Sequence, residues 1–223
     1  MNPVRTNPVR TNPARTSRPA IVFDLDGTLV DSLPDIVASF RHAFTELGIE
    51  APSETLVRSE VGLPLESMYQ RFAPSEAVAA LAAAYRRHYP EHFADRSRPY
   101  PGVPELLAEL RARGYAVAVA TTKRSDMATR FVHAMGLADA IDHVQGTDGF
   151  PHKPAPDVVL RALQAVGGEG RWMVGDTTHD VGAGKAAGLR TFAVTWGTHD
   201  AERLRAAGAD VVADDIVGLL SEL

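Results

Sequence analysis

The feature that most constrains the fold is the regular alternation of strand-like and helix-like segments after residue 100. Short apolar runs suited to buried strands are separated by single segments with the three- and four-residue apolar spacing of helices. The predicted strands lie at 115–120, 141–144, 171–174, 191–195 and 210–213. The predicted helices lie at 103–113, 127–135, 157–166, 181–187, 201–206 and 216–223. Such alternation indicates an α/β fold, a Rossmann-like parallel sheet core with helices on both faces.

Residues 33–98 interrupt this alternation. The helical patterns in this segment lie at 33–47, 65–72 and 75–89, and no run reads as a strand. An apolar run at 20–23 precedes the segment and predicts the first strand of the sheet. The chain length of 223 residues suits one core domain with a modest insertion. We therefore expect a core of residues 19–32 and 99–223, with a small helical insertion after the first strand.

The first 18 residues have a different character. Residues 2–16 repeat a five-residue unit, Asn-Pro-Val-Arg-Thr twice and then Asn-Pro-Ala-Arg-Thr. This segment has almost no apolar surface to bury, so we expect residues 1–18 to form a disordered tail. Either its arginines form a basic arm for an acidic partner, or the tail has no role. These arginines are Arg5, Arg10, Arg15 and Arg18.

The composition excludes several classes of function. A formal net charge of −5 argues against sequence-independent binding of nucleic acid. Cysteine is absent, which excludes disulfides, thiol nucleophiles and cysteine zinc sites. No apolar stretch approaches the roughly 20 residues that span a bilayer, and no signal-peptide core is visible. We expect a cytoplasmic protein without a membrane or nucleic-acid partner, and its oligomeric state is left open.

Residues capable of chemistry follow the predicted strands. Asp24 and Asp26 come directly after the first strand and enter a turn that contains glycine. Three other clusters follow later strands: Thr121-Thr122-Lys123, the loop around Lys153, and residues 175–180. In an open parallel sheet, ligands bind beyond the carboxyl ends of the strands. The four clusters are therefore expected to converge on one crevice.

This set of side chains suits a Mg²⁺ ion and a phosphoryl group. Mg²⁺ prefers hard oxygen ligands, and Asp24 and Asp176 are the natural side-chain ligands. A carboxylate can attack phosphorus to form an aspartyl-phosphate, while Lys153 offsets charge on the phosphoryl oxygens. Thr121 can hold another oxygen through its hydroxyl group. Asp26 can protonate the leaving oxygen and then activate water.

From about residue 20 to its end, the chain resembles the haloacid dehalogenase (HAD) superfamily of phosphohydrolases. Asp-Leu-Asp-Gly-Thr-Leu-Val-Asp-Ser at 24–32 is similar to the first motif of that family. The resemblance implies that Asp24 is the nucleophile, and that Asp26 is the acid/base and also binds Mg²⁺ through its backbone carbonyl. It also implies that the helical insertion, residues 33–98, is a cap that closes over the site.

The remaining motifs of the family have counterparts further along the chain. Thr121 matches the Ser/Thr of the second motif, and Lys153 matches the lysine of the third. Asp176 and Asp180 match the acidic fourth motif, with Asp176 implied as the direct metal ligand and Asp180 in a supporting role. Thr122 stands in the phosphate-binding loop where related phosphatases usually have Asn.

The resemblance also narrows the reaction. Asp26 argues against the haloacid dehalogenases proper, which lack that acid/base carboxylate. The chain has three lysines, Lys123, Lys153 and Lys185, and none of them lies in the insertion. A phosphonoacetaldehyde hydrolase would need a cap lysine for its Schiff base. The His–Lys pair that β-phosphoglucomutases place near the cap is also not visible.

What remains resembles the phosphoglycolate phosphatase group, including Val-Gly-Leu-Pro at 61–64 and Thr-Trp-Gly at 195–197. We therefore predict a Mg²⁺-dependent phosphatase that hydrolyses a small phosphorylated metabolite, with 2-phosphoglycolate as the best guess. Arg58 either binds a substrate carboxylate or is a solvated cap residue. Lys123 either extends towards solvent or an acidic neighbour, or contacts the substrate. The alternatives are a phosphatase for pyrophosphate or sugar phosphates, a phosphomutase, and a phosphate-binding scaffold without activity.

Overall fold

A computed structural model describes residues 17–223, and six of its strands form one parallel sheet. In chain order the strands are β1 (Pro19–Phe23), β2 (Val30–Asp31), β3 (Arg98–Pro99), β4 (Ala116–Ala120), β5 (His143–Gln145), β6 (Glu169–Gly175), β7 (Arg190–Val194) and β8 (Val211–Ala213). The large sheet has the order β5-β4-β1-β6-β7-β8, and all its neighbouring strands are parallel. The predicted Rossmann-like α/β core is confirmed.

Helices cover both faces of this sheet. The α-helices are α1 (Leu33–Glu46), α2 (Glu54–Arg58), α3 (Leu65–Gln70), α4 (Ser75–His92), α5 (Val103–Ala112), α6 (Ser125–Ala134), α7 (Asp157–Val166), α8 (Thr178–Ala186) and α9 (Ala201–Ala206). Ile21 and Phe23 of β1 belong to an apolar cluster with Leu106 of α5. Val22 belongs to a second cluster with Val158 of α7. Side chains alternate across a strand, so a fully apolar strand such as β1 is buried on both faces.

The end of the chain differs from its prediction. The segment Ile216–Ser221 is a 3-10 helix, whereas an α-helix was expected over 216–223. Ile216 and Leu219 are both fully buried. Their spacing of three residues places them on one side of a helix with three residues per turn, which explains why the tighter form suits this sequence.

The inserted segment has an apolar cluster of its own. Phe40 of α1 stacks on Tyr69 of α3, with ring centroids 4.0 Å apart. β2 and β3 pair antiparallel where the chain leaves and re-enters the core. The sequence did not predict the short helix α2, nor that α4 continues through Pro90 to His92. Pro90 has no N–H group to donate to the carbonyl four residues earlier, and the helix ends two residues after it. The division into core and cap stays a prediction.

The structural description begins at residue 17, which lies within the predicted tail. The repeat of residues 2–16 lies outside the described residues, so the predicted tail cannot be followed there. Arg18 is described, and its guanidinium group donates to the Asp142 carboxylate at 2.7 Å. Within residues 17–223, no helix has the length and apolar character needed to cross a membrane.

The strand order determines where a ligand can approach the core. β1 lies between β4 and β6, and the chain passes to β4 first and later returns to β6 on the other side. Helices that leave β4 and β6 therefore diverge around the end of β1. This is the switch point at which open α/β sheets leave a crevice beyond the carboxyl ends of their strands.

Candidate active site

The ammonium group of Lys153 lies between two buried carboxylates in this crevice. Lys153 Nζ is 2.5 Å from Asp24 Oδ1 and 2.6 Å from Asp180 Oδ1. It also donates to the backbone carbonyl of Ala120, the last residue of β4, at 3.2 Å. The structure thus brings together side chains that follow β1, β5 and β6, which are far apart in sequence.

Asp180 links this ion cluster to the start of α8. Its Oδ2 accepts hydrogen bonds from the backbone N–H of Thr177 at 2.9 Å and from the Thr177 hydroxyl at 2.5 Å. The Thr177 hydroxyl in turn accepts from the N–H of Asp180, which completes a capping box. A β-carbon added at Gly175 would lie 2.2 Å from Asp180 Cβ, so glycine is required there. Both oxygens of Asp180 are engaged, which places it to hold Lys153.

Asp176 is fully buried at the end of β6. Its Oδ1 accepts from the Thr28 hydroxyl at 2.9 Å, and its Oδ2 accepts from the backbone N–H of Thr198 at 2.7 Å. An added β-carbon at Gly27 or Gly197 would come within 2.4 Å or 2.2 Å of Asp176 Oδ2. The sequence did not single out Thr28, although its hydroxyl follows the first turn directly.

Burial and mutual repulsion perturb the titration of this cluster. Burial raises the pKa of Asp24 well above its usual range, against the opposing effect of Lys153. Burial, and then the nearby Asp180 carboxylate, raise the pKa of Asp176 to about 6. Burial disfavours the charged form of Lys153, but the Asp180 and Asp24 carboxylates outweigh it and raise the pKa of that ammonium group.

The donor set fits a divalent cation that prefers oxygen. Carboxylate oxygens of Asp24, Asp176 and Asp180 lie within 4.8 Å of one another. Two of these carboxylates, Asp24 and Asp180, contact the ammonium group of Lys153, and Asp176 contacts no cationic side chain among residues 17–223. Within the described residues the second oxygen of Asp24 accepts no hydrogen bond. A hard, all-oxygen set of this kind matches Mg²⁺ better than it matches a softer metal.

Asp26 lies beside this cluster and is held by two contacts. Its Oδ1 accepts from the Ser32 hydroxyl at 2.6 Å. Its Oδ2 lies 3.0 Å from Lys123 Nζ, and both side chains are largely buried, with exposures of 13% and 11%. Of the two positions left open for Lys123, the structure therefore places it on an acidic neighbour. The sequence did not indicate which carboxylate that neighbour is.

Three predicted phosphate- or substrate-binding residues occupy different positions. Thr121 is fully buried, and its hydroxyl accepts from the backbone N–H of Lys123 at 3.2 Å. Thr122 is half-buried and lines the cavity described below. Arg58 lies at the end of α2, outside the residues that line that cavity. Its predicted contact with a substrate carboxylate stays a prediction.

A cavity of about 510 Å³ lies between these loops and the inserted helices. Its charged end is formed by Asp24, Asp26, Lys123, Lys153 and Asp180. On the side of the insertion the lining includes the apolar side chains Ile36, Val61, Leu63, Leu65 and Met68, together with Tyr85 and Tyr89. Arg86 also lines this side and pairs with Glu66 at 2.5 Å. The cavity thus joins a reactive, charged end to a largely apolar region.

Comparison with known proteins identifies the family. Residues 21–194, more than half of the chain, match the model of a family described as "Haloacid dehalogenase-like hydrolase". The chain belongs to the haloacid dehalogenase-like hydrolases. "Probable phosphatase IndB" of Dickeya dadantii (strain 3937) is 37% identical over 213 residues, covering 90% of this chain and 93% of that protein. A phosphoglycolate phosphatase of Mesorhizobium japonicum is 34% identical over 194 residues, covering 82% of this chain and 86% of its own.

Solved structures of the family agree with the fold described above. The haloacid dehalogenase-like family protein SP0104 from Streptococcus pneumoniae has a TM-score of 0.84 and 28% identity, covering 93% of this chain and 98% of its own. The predicted family and the predicted enzyme class, a phosphatase among the haloacid dehalogenase-like hydrolases, are therefore confirmed.

Proposed function

We propose that this protein is a Mg²⁺-dependent phosphatase that hydrolyses a small phosphate monoester through a phosphorylated Asp24. The observation that carries the proposal is the arrangement of Asp24 at the charged end of the cavity. One carboxylate oxygen is held by Lys153, and the other accepts no hydrogen bond within the described residues. An oriented carboxylate with one free oxygen that faces a cavity is suited to nucleophilic attack.

In the first step the free oxygen of Asp24 attacks phosphorus, and the bond between phosphorus and the ester oxygen breaks. Asp26 donates a proton to that leaving oxygen, so the product departs as a neutral alcohol. Lys153 stays charged because its pKa is raised, and it offsets negative charge on the phosphoryl group. Thr121 and Thr122 contribute the hydroxyl and backbone groups of the phosphate-binding loop.

In the second step water attacks the phosphorus of the aspartyl-phosphate. Asp26, now ionised, takes a proton from that water, the acyl-phosphate bond breaks, and Asp24 returns to its carboxylate form. Asp180 takes no proton in this sequence. It holds Lys153 and the turn at Thr177 in place through the contacts described above.

The residues that would hold Mg²⁺ are Asp24, Asp176 and the backbone carbonyl of Asp26. Bound there, the ion supplies positive charge that neutralises the phosphoryl oxygens and the excess charge of the carboxylates. Thr28 and Thr198 orient Asp176 for this role by donating to its two oxygens. Residues 33–98 act as the cap that closes over the bound ester.

The first substrate to test is 2-phosphoglycolate. It is supported by several relatives named phosphoglycolate phosphatase, at 32–34% identity. Pyrophosphate and sugar phosphates are the alternatives for the same chemistry. A further alternative is a phosphomutase, which returns the phosphoryl group to a substrate instead of transferring it to water. Release of inorganic phosphate without formation of an isomerised sugar phosphate would favour the phosphatase over the phosphomutase.

The proposal is tested with a panel of phosphorylated metabolites and p-nitrophenyl phosphate, assayed with Mg²⁺ and with EDTA. We expect phosphate release that requires Mg²⁺ and is abolished in Asp24→Asn, while circular dichroism and thermal unfolding show that this variant stays folded. Brief acid quenching with a ³²P-labelled substrate should trap label on the wild-type protein and not on the variant. Turnover by Asp24→Asn at the wild-type rate, or no activity on any ester, contradicts the proposal.

A further inference from the structure

Lys123 has no part in the catalytic scheme above, yet it occupies a central position between the core and the cap. It follows β4 in the phosphate-binding loop, and its ammonium group is 3.0 Å from Asp26 Oδ2. The same ammonium group donates to the hydroxyl of Tyr89 at 3.0 Å. Tyr89 belongs to α4, so one lysine contacts both the predicted proton donor and the cap.

Aromatic rings confine this ammonium group further. Lys123 Nζ lies 4.8 Å from the ring centroid of Tyr89 and 5.2 Å from that of Phe131. Tyr85 stacks on Tyr89 with ring centroids 5.0 Å apart, which fixes the orientation of the Tyr89 ring. Cations held over aromatic faces are attracted to them, most strongly where water is excluded. The lysine is therefore confined by its surroundings as well as by its hydrogen bonds.

The contacts of Asp26 show why this matters for the reaction. Ser32 holds one carboxylate oxygen from the segment that leads into the cap, and Lys123 holds the other from the core. A proton donor must lie within hydrogen-bond reach of the leaving oxygen, so a small rotation of this carboxylate changes its efficiency. The position of Asp26 is thus set by one contact on each side of the junction.

We propose that Lys123 is a positioning residue that ties the Asp26 carboxylate to cap helix α4 through Tyr89, which aligns the proton donor when the cap is packed on the core. This inference rests on the proposed function, since it assigns a role to the acid/base of that reaction. Lys123 itself exchanges no proton and acts on the reaction only through its contact with Asp26. The cap thereby controls proton donation as well as access to the cavity.

The test exploits the different needs of two leaving groups. The p-nitrophenolate leaving group of p-nitrophenyl phosphate is stable without a proton, whereas the alkoxide of 2-phosphoglycolate or of glycerol 2-phosphate must be protonated. The quantity to measure is kcat/KM, because it reports the steps up to cleavage of the ester bond. We expect Lys123→Met to lower kcat/KM for the alkyl phosphate by about 100-fold, and for p-nitrophenyl phosphate by less than about 5-fold.

Tyr89→Phe keeps the ring and removes only the hydroxyl that contacts Lys123. We expect it to change the ratio of the two kcat/KM values in the same direction, by about 5-fold. Lys123→Arg, which retains the charge, should recover part of the alkyl phosphatase activity lost in Lys123→Met. Matched controls are Lys185→Met, an exposed lysine of α8, and Tyr115→Phe, which lies outside the cavity lining. Both controls should leave the ratio unchanged.

Each outcome separates this inference from the proposed function. If the wild-type protein hydrolyses neither class of ester in Mg²⁺, the proposed function fails. If it hydrolyses them and Lys123→Met loses equal activity on both, Lys123 acts in substrate binding or in folding, and the positioning role is wrong. Full retention of both activities in Lys123→Met overturns it as well.

Discussion

The cavity has one side formed by the loops that follow the strands, here called the core side, and one formed by residues of the segment 33–98, here called the cap side, and the two are built in different ways. On the core side, Asp24, Lys153 and Asp180 are joined at 2.5–2.6 Å and their side chains are 8% exposed or less. On the cap side, the ion pair between Arg86 and Glu66 has side chains that are 50% and 46% exposed. A buried charge cluster cannot lose one member without leaving the others unpaired. An exposed pair contributes little to stability, so it can be replaced.

This difference predicts that most of the chemistry depends on the core side and most of the choice of substrate on the cap side, with the contact between Lys123 and Tyr89 as the link between them. The core side is constrained by burial, by the capping box of Asp180 and by glycines at which a side chain would strike a carboxylate. The cap side presents apolar side chains and paired charges that touch no reacting group. Substitutions on the core side should therefore lower both stability and activity, and substitutions on the cap side should mainly change KM. The three predictions below probe that difference.

The largest effect is expected for Lys153→Met. The variant leaves the buried Asp24 and Asp180 carboxylates without their common partner, so we expect a loss of about 3–5 kcal/mol in the free energy of unfolding. Activity should fall by at least about 1000-fold, because charge on the phosphoryl group is no longer offset. Urea unfolding and kcat/KM measure the two effects. The exposed Lys185→Met should change stability by no more than about 0.5 kcal/mol, and equal losses in both variants contradict the comparison.

An intermediate effect is expected for Asp176→Asn, and it depends on pH. Because burial raises the pKa of Asp176 from 3.8 to about 6 in the folded, metal-free protein, this group stabilises the fold fully below pH 3.8. That contribution, about 3 kcal/mol, is lost as the pH rises through 6. Asn does not titrate, so the stability of the variant relative to wild type should rise between pH 4 and pH 7.5 in EDTA.

Urea unfolding of both proteins across this pH range measures the difference. Mg²⁺ should then stabilise the wild-type protein more at pH 7.5 than at pH 5, because protons compete with the metal for the carboxylates. The variant should respond weakly to Mg²⁺ at either pH. A pH-independent difference between the two proteins would contradict the titration assigned to Asp176.

The smallest effect is expected on the cap side. Arg86→Met should change the free energy of unfolding by less than about 1 kcal/mol, because its ion pair is exposed. We expect KM for 2-phosphoglycolate to change by up to about 10-fold, with kcat for p-nitrophenyl phosphate within about 3-fold of wild type.

Arg58→Met is the matched variant outside the cavity lining. A larger rise in KM in Arg58→Met would support the carboxylate contact predicted for Arg58. A large fall in kcat in Arg86→Met would break the separation between the two sides.

Much of the fold could be predicted because its signals are local. The helices at 157–166 and 201–206 were predicted with the bounds that the structure shows, and each strand of the large sheet was found within a few residues. Short elements were missed for a physical reason. β2 and β3 have two residues each and α2 has five. The two-residue period of a strand and the 3.6-residue period of a helix have no room to repeat in segments this short.

The candidate site was predictable only in part. Asp24, Lys153 and Asp176 were expected to converge because each follows a parallel strand, and strand order needs no detail of side chains. The contacts of Thr28 and Lys123 depend on rotamers and on packing between segments that lie far apart in sequence. Such contacts leave no periodic signal.

The sequence by itself determined the α/β class, the position of the insertion and the residues that bring chemistry to the strand ends. Hydrophobic period and motif spacing are local properties, so a single chain reveals them. Only the tertiary structure decided which partner each charge has: Lys153 with Asp24 and Asp180, and Lys123 with Asp26 and Tyr89. Such pairings follow from packing between segments that lie far apart in sequence, and burial leaves each charge few partners.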